Sequence, residues 1–173
     1  MAQLIAAQQV LENTWTEQPL EEDGNAGPFV APNTPTLYPL AFWRAHREAI
    51  IASAQAGALP LGLLLQPDDA VEEIAADLPH LALIAINFPK FVDGRGYSSA
   101  ALLRQRYGYR GELRAVGDVL HDQLFYLRRV GFDSYALKDG KSTAYAIAHG
   151  FTTFTEPYQA STDQPLPHFR RQP

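Results

Sequence analysis

From about residue 60 the chain alternates short apolar runs with longer amphipathic stretches. Leu61-Gly62-Leu63-Leu64-Leu65 suits a buried strand, and Leu81-Ala82-Leu83-Ile84-Ala85-Ile86 is a second run, apolar on both faces. Glu112-Leu113-Arg114-Ala115-Val116 reads as a third, less hydrophobic strand, and Ser134-Tyr135-Ala136-Leu137 as a fourth. Helices fill the intervals. One opens at Pro67-Asp68-Asp69 and runs through Val71, Ile74 and Ala75. Another is capped at Ser98 or its neighbour, carries Ala101, Leu102 and Leu103, and closes at Gly108. A third is capped by Asp118, with Val119, Leu120, Leu124, Leu127 and Val130 at the 3.6 period and Gly131 at its end. A last helix falls near 141–149. Upstream, Phe42, Trp43, Ala45, His46, Ala49 and Ile50 give an apolar face to a helix over 40–56, stopped by Gly57 and Pro60.

Short strands alternating with helices imply βαβ units and a parallel sheet. The expectation is an α/β fold with a small parallel sheet of about four core strands, either open or an arc of barrel-like β/α units. The second run, apolar throughout, predicts helices on both sides of the sheet. Residues 1–39 read as an N-terminal arm. Leu4, Ile5, Val10 and Leu11 are apolar, but Glu21-Glu22-Asp23-Gly24-Asn25 and prolines at 19, 28, 32, 35 and 39 break the pattern, leaving one short strand near 29–31. Residues 40–158 form a single α/β domain and 159–173 a tail. The arm or a second subunit is expected to cover the open sheet edges, which makes a homo-oligomer the expected assembly.

The chain has 46% hydrophobic and 19% charged residues, which excludes global disorder, and no cysteine. Disulfides, thiol nucleophiles and cysteine-held clusters are therefore excluded within it. The net charge of −5 argues against nucleic acid as a partner. No apolar stretch is long enough to span a membrane, and Met1 to Leu11 has no basic residue to make it a signal peptide, so a cytoplasmic location is the default. The charge is uneven. Residues 1–89 carry eleven acids and two bases, whereas residues 90–139 carry nine bases and six acids. That basic block can present a local anion-attracting face despite the acidic total.

Ligands of parallel sheets bind beyond the carboxyl ends of the strands, which singles out two loops. The first, residues 87–99, gathers Lys90, Asp93 and Arg95 around Gly94 and Gly96 and enters a helix at Ser98. Helix amides with Lys90 and Arg95 suit a small oxyanion. Equally, Asp93 and Arg95 pair to hold the loop and Ser98 only caps the helix. The glycines match neither a dinucleotide fingerprint nor a phosphate-binding loop. In the second loop Asp118, His121 and Asp122 stand at i, i+3 and i+4 on one side of a helical turn. His121 beside two carboxylates suits a general base near neutral pH, with a capping role for Asp118 and a dipole role for Asp122 as the alternative. The trio lacks a further ligand and matches no standard metal spacing, so no metal site is assigned. Arg128 and Arg129 suit the far end of that helix, and one of them is a candidate partner for Asp133. Glu112 and Arg114 share one strand face, which predicts an edge strand, a polar pocket or a subunit interface, and Arg114 joins the candidate anion-binding residues. The aromatic set Phe151, Phe154, Tyr158 and Phe169 reads as packing.

The run Phe-Pro-Lys-Phe-Val-Asp-Gly-Arg-Gly-Tyr-Ser-Ser-Ala from Phe88, and the stretch continuing through Asp118, His121, Asp122 and Gln123 to Arg-Arg-Val-Gly-Phe-Asp at Asp133, resemble the bacterial DUF934 family. Members of that family are described as probable oxidoreductases involved in sulfite reduction. The resemblance implies a role in sulfite or sulfate assimilation, as an accessory protein or an oxidoreductase, with sulfite reductase components as partners. It carries the motif positions Lys90, Asp93, Arg95, Tyr97, Ser98, Arg104, Arg114, Asp118, Asp122, Gln123, Arg129 and Asp133. Val130 departs from it, standing where many relatives have cysteine. An oxidoreductase needs a cofactor for hydride or electron chemistry. The sequence specifies none, although a flavin can bind without a short motif.

Overall fold

The first 39 residues build half of the sheet. In the computed structural model, which describes residues 3–151 and 156–171, eight strands join in the order β2-β1-β8-β7-β6-β5-β4-β3. Strands β1 (Gln3–Ala6) and β2 (Gln9–Glu12) form a hairpin across Ala7 and Gln8, both at positive φ. Strands β3 (Thr16–Glu17) and β4 (Thr36–Pro39) complete the N-terminal set. The four strands expected downstream are present as β5 (Leu61–Leu65), β6 (Leu81–Phe88), β7 (Glu112–Gly117) and β8 (Ser134–Tyr135). From β3 to β8 neighbours are parallel and follow chain order, and the β1–β2 hairpin adds antiparallel to β8. The sheet is therefore mixed and has eight strands, correcting the expected small parallel sheet of about four with an irregular arm. The strand expected near 29–31 is absent. Thr36, Leu37 and Tyr38, whose side chains alternate between two buried faces, pair with β5 instead.

The chain connectivity forces curvature on this sheet. Its two edge strands, β2 and β3, are separated by only Asn13, Thr14 and Trp15. Eight flat strands would put those edges about 34 Å apart at about 4.8 Å per spacing, but the steps from Glu12 to Thr16 reach about 14 Å at most. The sheet closes that difference by curling into a half-barrel, with residues 13–15 strapped across its concave side.

Alternation along each strand then separates two environments. Leu63, Ile84, Ile86, Leu113, Ala115 and Tyr135 face outward and pack with side chains of α1 (Leu40–Gly57), α2 (Arg95–Ala101) and α3 (Leu124–Val130). Full burial of each such leucine or isoleucine is worth about 1.5–3 kcal/mol. Leu37, Leu64, Leu83 and Ala85 face inward and pack with Trp15 and Val116, with no helical residue among them. The both-sided apolar pattern of β6 thus reflects helices outside and a strap inside, not two helical layers. Gly62 makes room for the strap, since a Cβ there would lie 2.7 Å from both Trp15 and Leu37.

Several helix boundaries move for local reasons. The helix expected after Pro67 is two short 3₁₀ turns, Val71–Ile74 and Leu78–His80, separated by Ala75, Ala76 and Asp77. The Asp77 carboxylate accepts from Trp43 Nε1 at 2.8 Å and pairs with Arg47. Ser98 is not a cap, because α2 already starts at Arg95 after Gly94, and the helix ends in a wide π turn at Leu102–Arg106. Asp118 is not a cap either. Its chain stays irregular until a 3₁₀ turn at His121–Gln123 leads into α3. Short α4 (Thr143–His149), capped by Ser142, and α5 (His168–Arg171) follow. Asp133 pairs with Arg104, not with Arg128 or Arg129, and Arg129 is held by Asp163. Phe151 is buried, Tyr158 and Phe169 are exposed, and Phe154 lies outside the described residues.

Candidate functional site

Curling brings the inward faces of the strands and their carboxyl-end loops around one cleft of about 770 Å³, within the size range of small-molecule sites. Its base is Leu37, Val116 and Arg114, and its rim includes Glu17, Asp118, Lys138 and Lys141. Gly117 permits the turn from β7 into the rim. It sits at φ +95°, and a Cβ there would lie 2.5 Å from the Phe88 carbonyl oxygen.

Arg114 is 4% exposed although it lies on a central strand. Its strand neighbours explain how it fits. Ala85 lies beside it on β6 and Ser134 on β8, and both are small. Glu112 Oε1 accepts from Arg114 Nε at 3.1 Å and Nη2 at 2.8 Å. Ser134 Oγ accepts from Nε at 3.1 Å, and Asn13 Oδ1 accepts from Nη1 at 3.0 Å. A guanidinium has five N–H groups. One on Nη1 and one on Nη2 therefore keep no protein acceptor among the described residues, on a side chain that lines the cleft. β7 is not an edge strand, and Arg114 lines a cleft with both polar and apolar surface.

At the rim, Asp118 Oδ1 lies 2.9 Å from Lys138 Nζ, and Asp118 Oδ2 accepts from the Phe91 amide at 3.3 Å. The hydrogen bond from Lys138 lowers the Asp118 pKa, with the charges of Lys138 and Lys141 acting in the same direction. Both lysines belong to the turn 138–141, closed by the Lys141 amide donating to the Lys138 carbonyl at 3.2 Å.

The residues expected to act as a trio occupy three different places. Asp118 lines the cleft. His121 is half-buried outside it, edge-on to Tyr145 at 5.0 Å between ring centroids. Asp122 is exposed and lines a separate groove with Phe125, Tyr126 and Tyr158. Among the described residues, no group of three His, Asp or Glu is placed to hold a metal ion.

The 87–99 loop is tied down by its own charges. Asp93 takes Arg95 Nε at 3.0 Å, Nη2 at 2.6 Å and the Arg95 amide at 3.2 Å, and Asp68 pairs with the same guanidinium. The Arg95 hydrogen bonds lower the Asp93 pKa to about 2. The first amide of α2 is thus bonded to Asp93, while Lys90 and Ser98 are exposed nearby.

Sequence reasoning missed Lys138, Lys141, Asn13 and Glu17. The rule that chose the other two loops also points to residues 136–142, the loop after the fourth parallel strand. Asn13 and Glu17 have no comparable local signal, because only closure of the strap brings them to the cleft.

Fold and cleft together define an α/β half-barrel with a ligand-sized cleft at the carboxyl ends of its parallel strands. The chain belongs to the family described as bacterial protein of unknown function (DUF934), whose model matches residues 62–169. No curated protein and no solved structure matches the chain. No helix among the described residues is long and apolar enough to cross a membrane.

Proposed function

We propose that this protein binds a small anion in the concave cleft, with Arg114 as the anchoring cation and Lys138 and Lys141 as rim cations. In this reading it serves sulfite or sulfate assimilation as an accessory protein. The observation that carries the binding site is the buried Arg114, held by Glu112, Ser134 and Asn13 with N–H groups to spare beside an open cleft. A buried, preoriented guanidinium bonds an oxyanion more strongly than a surface lysine does, because the local dielectric is low and its geometry is fixed. The cleft supports this reading better than the 87–99 loop, where Arg95 is exposed and paired with two carboxylates, Asp93 and Asp68, whereas Arg114 is buried and paired with one, Glu112. The pathway rests on the family resemblance alone. The accessory role is preferred because the chain has no cysteine for thiol redox chemistry and His121 lies outside the cleft.

Isothermal titration with sulfite and inorganic phosphate tests the site. Saturable binding is expected, weakened about tenfold or more by Arg114→Lys, which keeps the charge but loses the planar fork. Lys138→Met is expected to weaken it less, and Arg95→Met to leave it unchanged. Loss with Arg95→Met and retention with Arg114→Lys would move the site to the 87–99 loop. Absence of binding in a folded wild-type protein would end the proposal. For the pathway, a deletion strain is expected to grow on cysteine but poorly on sulfate or sulfite, and normal growth on all three would contradict it.

A further inference from the structure

The volume and lining of the cleft go beyond what a bare inorganic ion requires. A water molecule occupies about 30 Å³, and a five-atom oxyanion on the order of twice that. The cleft holds about 770 Å³. An ion on Arg114 would therefore leave most of the space unfilled, and that space is not uniformly polar. Leu37, Val116 and Ala136 line it together with Arg114, providing apolar surface on the same cleft as the cation. Farther out, Glu17 and Asp139 offer carboxylate acceptors, while Lys141 stands exposed without an ion pair among the described residues. A cation at the base, an apolar wall beside it and acceptors at the rim form a graded surface.

Resting on the reading that Arg114 anchors an anion, we infer that the ligand is an organic anion. It carries a phosphate, sulfonate or carboxylate on an apolar or planar body, with hydrogen-bond donors at its far end. The anionic group meets the free N–H groups of Arg114, the body covers Leu37, Val116 and Ala136, and hydroxyl or amino groups reach Glu17 and Asp139. Free sulfite or phosphate occupies the same anchor with only part of the contacts.

A graded titration tests this with the full chain. The probes are sulfite, inorganic phosphate, methyl phosphate, phenyl phosphate and adenosine 5′-monophosphate, each against wild type and Val116→Asp. Phenyl phosphate and the nucleotide are expected to bind at least about tenfold more tightly than phosphate, a difference of about 1.4 kcal/mol. Val116→Asp is expected to remove that advantage, with circular dichroism establishing that the variant is folded. Val116→Thr, nearly the same in shape, serves as a second variant if Val116→Asp does not fold. If phosphate and phenyl phosphate bind within twofold of each other, the organic-anion inference fails while the Arg114 anchor stands. If no probe binds, the anchor itself fails and the inference goes with it.

Discussion

Arginines have different roles in this molecule, and their partners decide which. Arg95 and Arg104 are spent on structure. Arg104 donates to the carbonyls of Gly131, Tyr109 and Gly111 and pairs with Asp133, so it stitches α2 and its π turn to the start of β7 and the end of α3. Arg95 fixes the 87–99 loop through Asp93. Arg114 alone among these three lines the cleft with donors left over. The Asp93 pair gives a direct titration. Its carboxyl is held near 2 by Arg95 against an ordinary 3.8. A carboxylate lowered on folding adds stability that is complete above 3.8 and lost as the pH falls through about 2. Arg95→Met is expected to return the Asp93 pKa toward 3.8, moving that acid loss upward. Carboxyl carbon shifts followed by NMR between pH 1.5 and 6 check it, and an unchanged value near 2 would mean that Arg95 is not the cause.

At the scale of elements, the strap determines the architecture. Residues 13–15 span the two sheet edges, and Trp15 lies against Gly62 and Leu37 while Asn13 bonds Arg114. Trp15→Ala is expected to cost about 2–4 kcal/mol, below a fully buried tryptophan because Trp15 is half-buried. It should also loosen Arg114 through Asn13, so urea denaturation and anion affinity are expected to fall together. A stability loss below about 0.5 kcal/mol, the size of an ordinary surface substitution, would show that the strap does not hold the sheet. The strands from β5 to β8 were legible because each is a short run bounded by Gly, Pro or Asp, and α1 because its apolar face repeats at the helical period. The N-terminal strands were not. Leu4 and Ile5 are buried on a strand whose Ile5 and Ala6 pair with Tyr135 and Ser134 of β8, about 130 positions away, and β2 is exposed along its length. Nothing in the local pattern of β2 distinguishes an exposed edge strand from a loop. Asp118 and Ser98 looked like caps because their residue types favour that role, but tertiary partners and an earlier helix start took precedence.

For the whole molecule, one layer of helices covers the outer face of a curled sheet, and the inner face is left to a tryptophan strap and the cleft. The carboxyl-end rule selects loops that border the cleft, through Pro89, Gly117 and Asp118. Which residues meet there was not legible. The sequence groups Asp118 with His121 and Asp122, whereas folding groups it with Lys138 and places Arg114 and Asn13 in the same cleft. An irregular turn in place of a regular helix after Asp118 separates the trio. The most direct test is an amide NMR titration of ¹⁵N-labelled protein with phenyl phosphate. The largest shifts are expected at Asn13, Arg114 and Gly117 and across residues 138–141, saturating together. Shifts centred on residues 90–98, with those positions still, would contradict a cleft-bound anion.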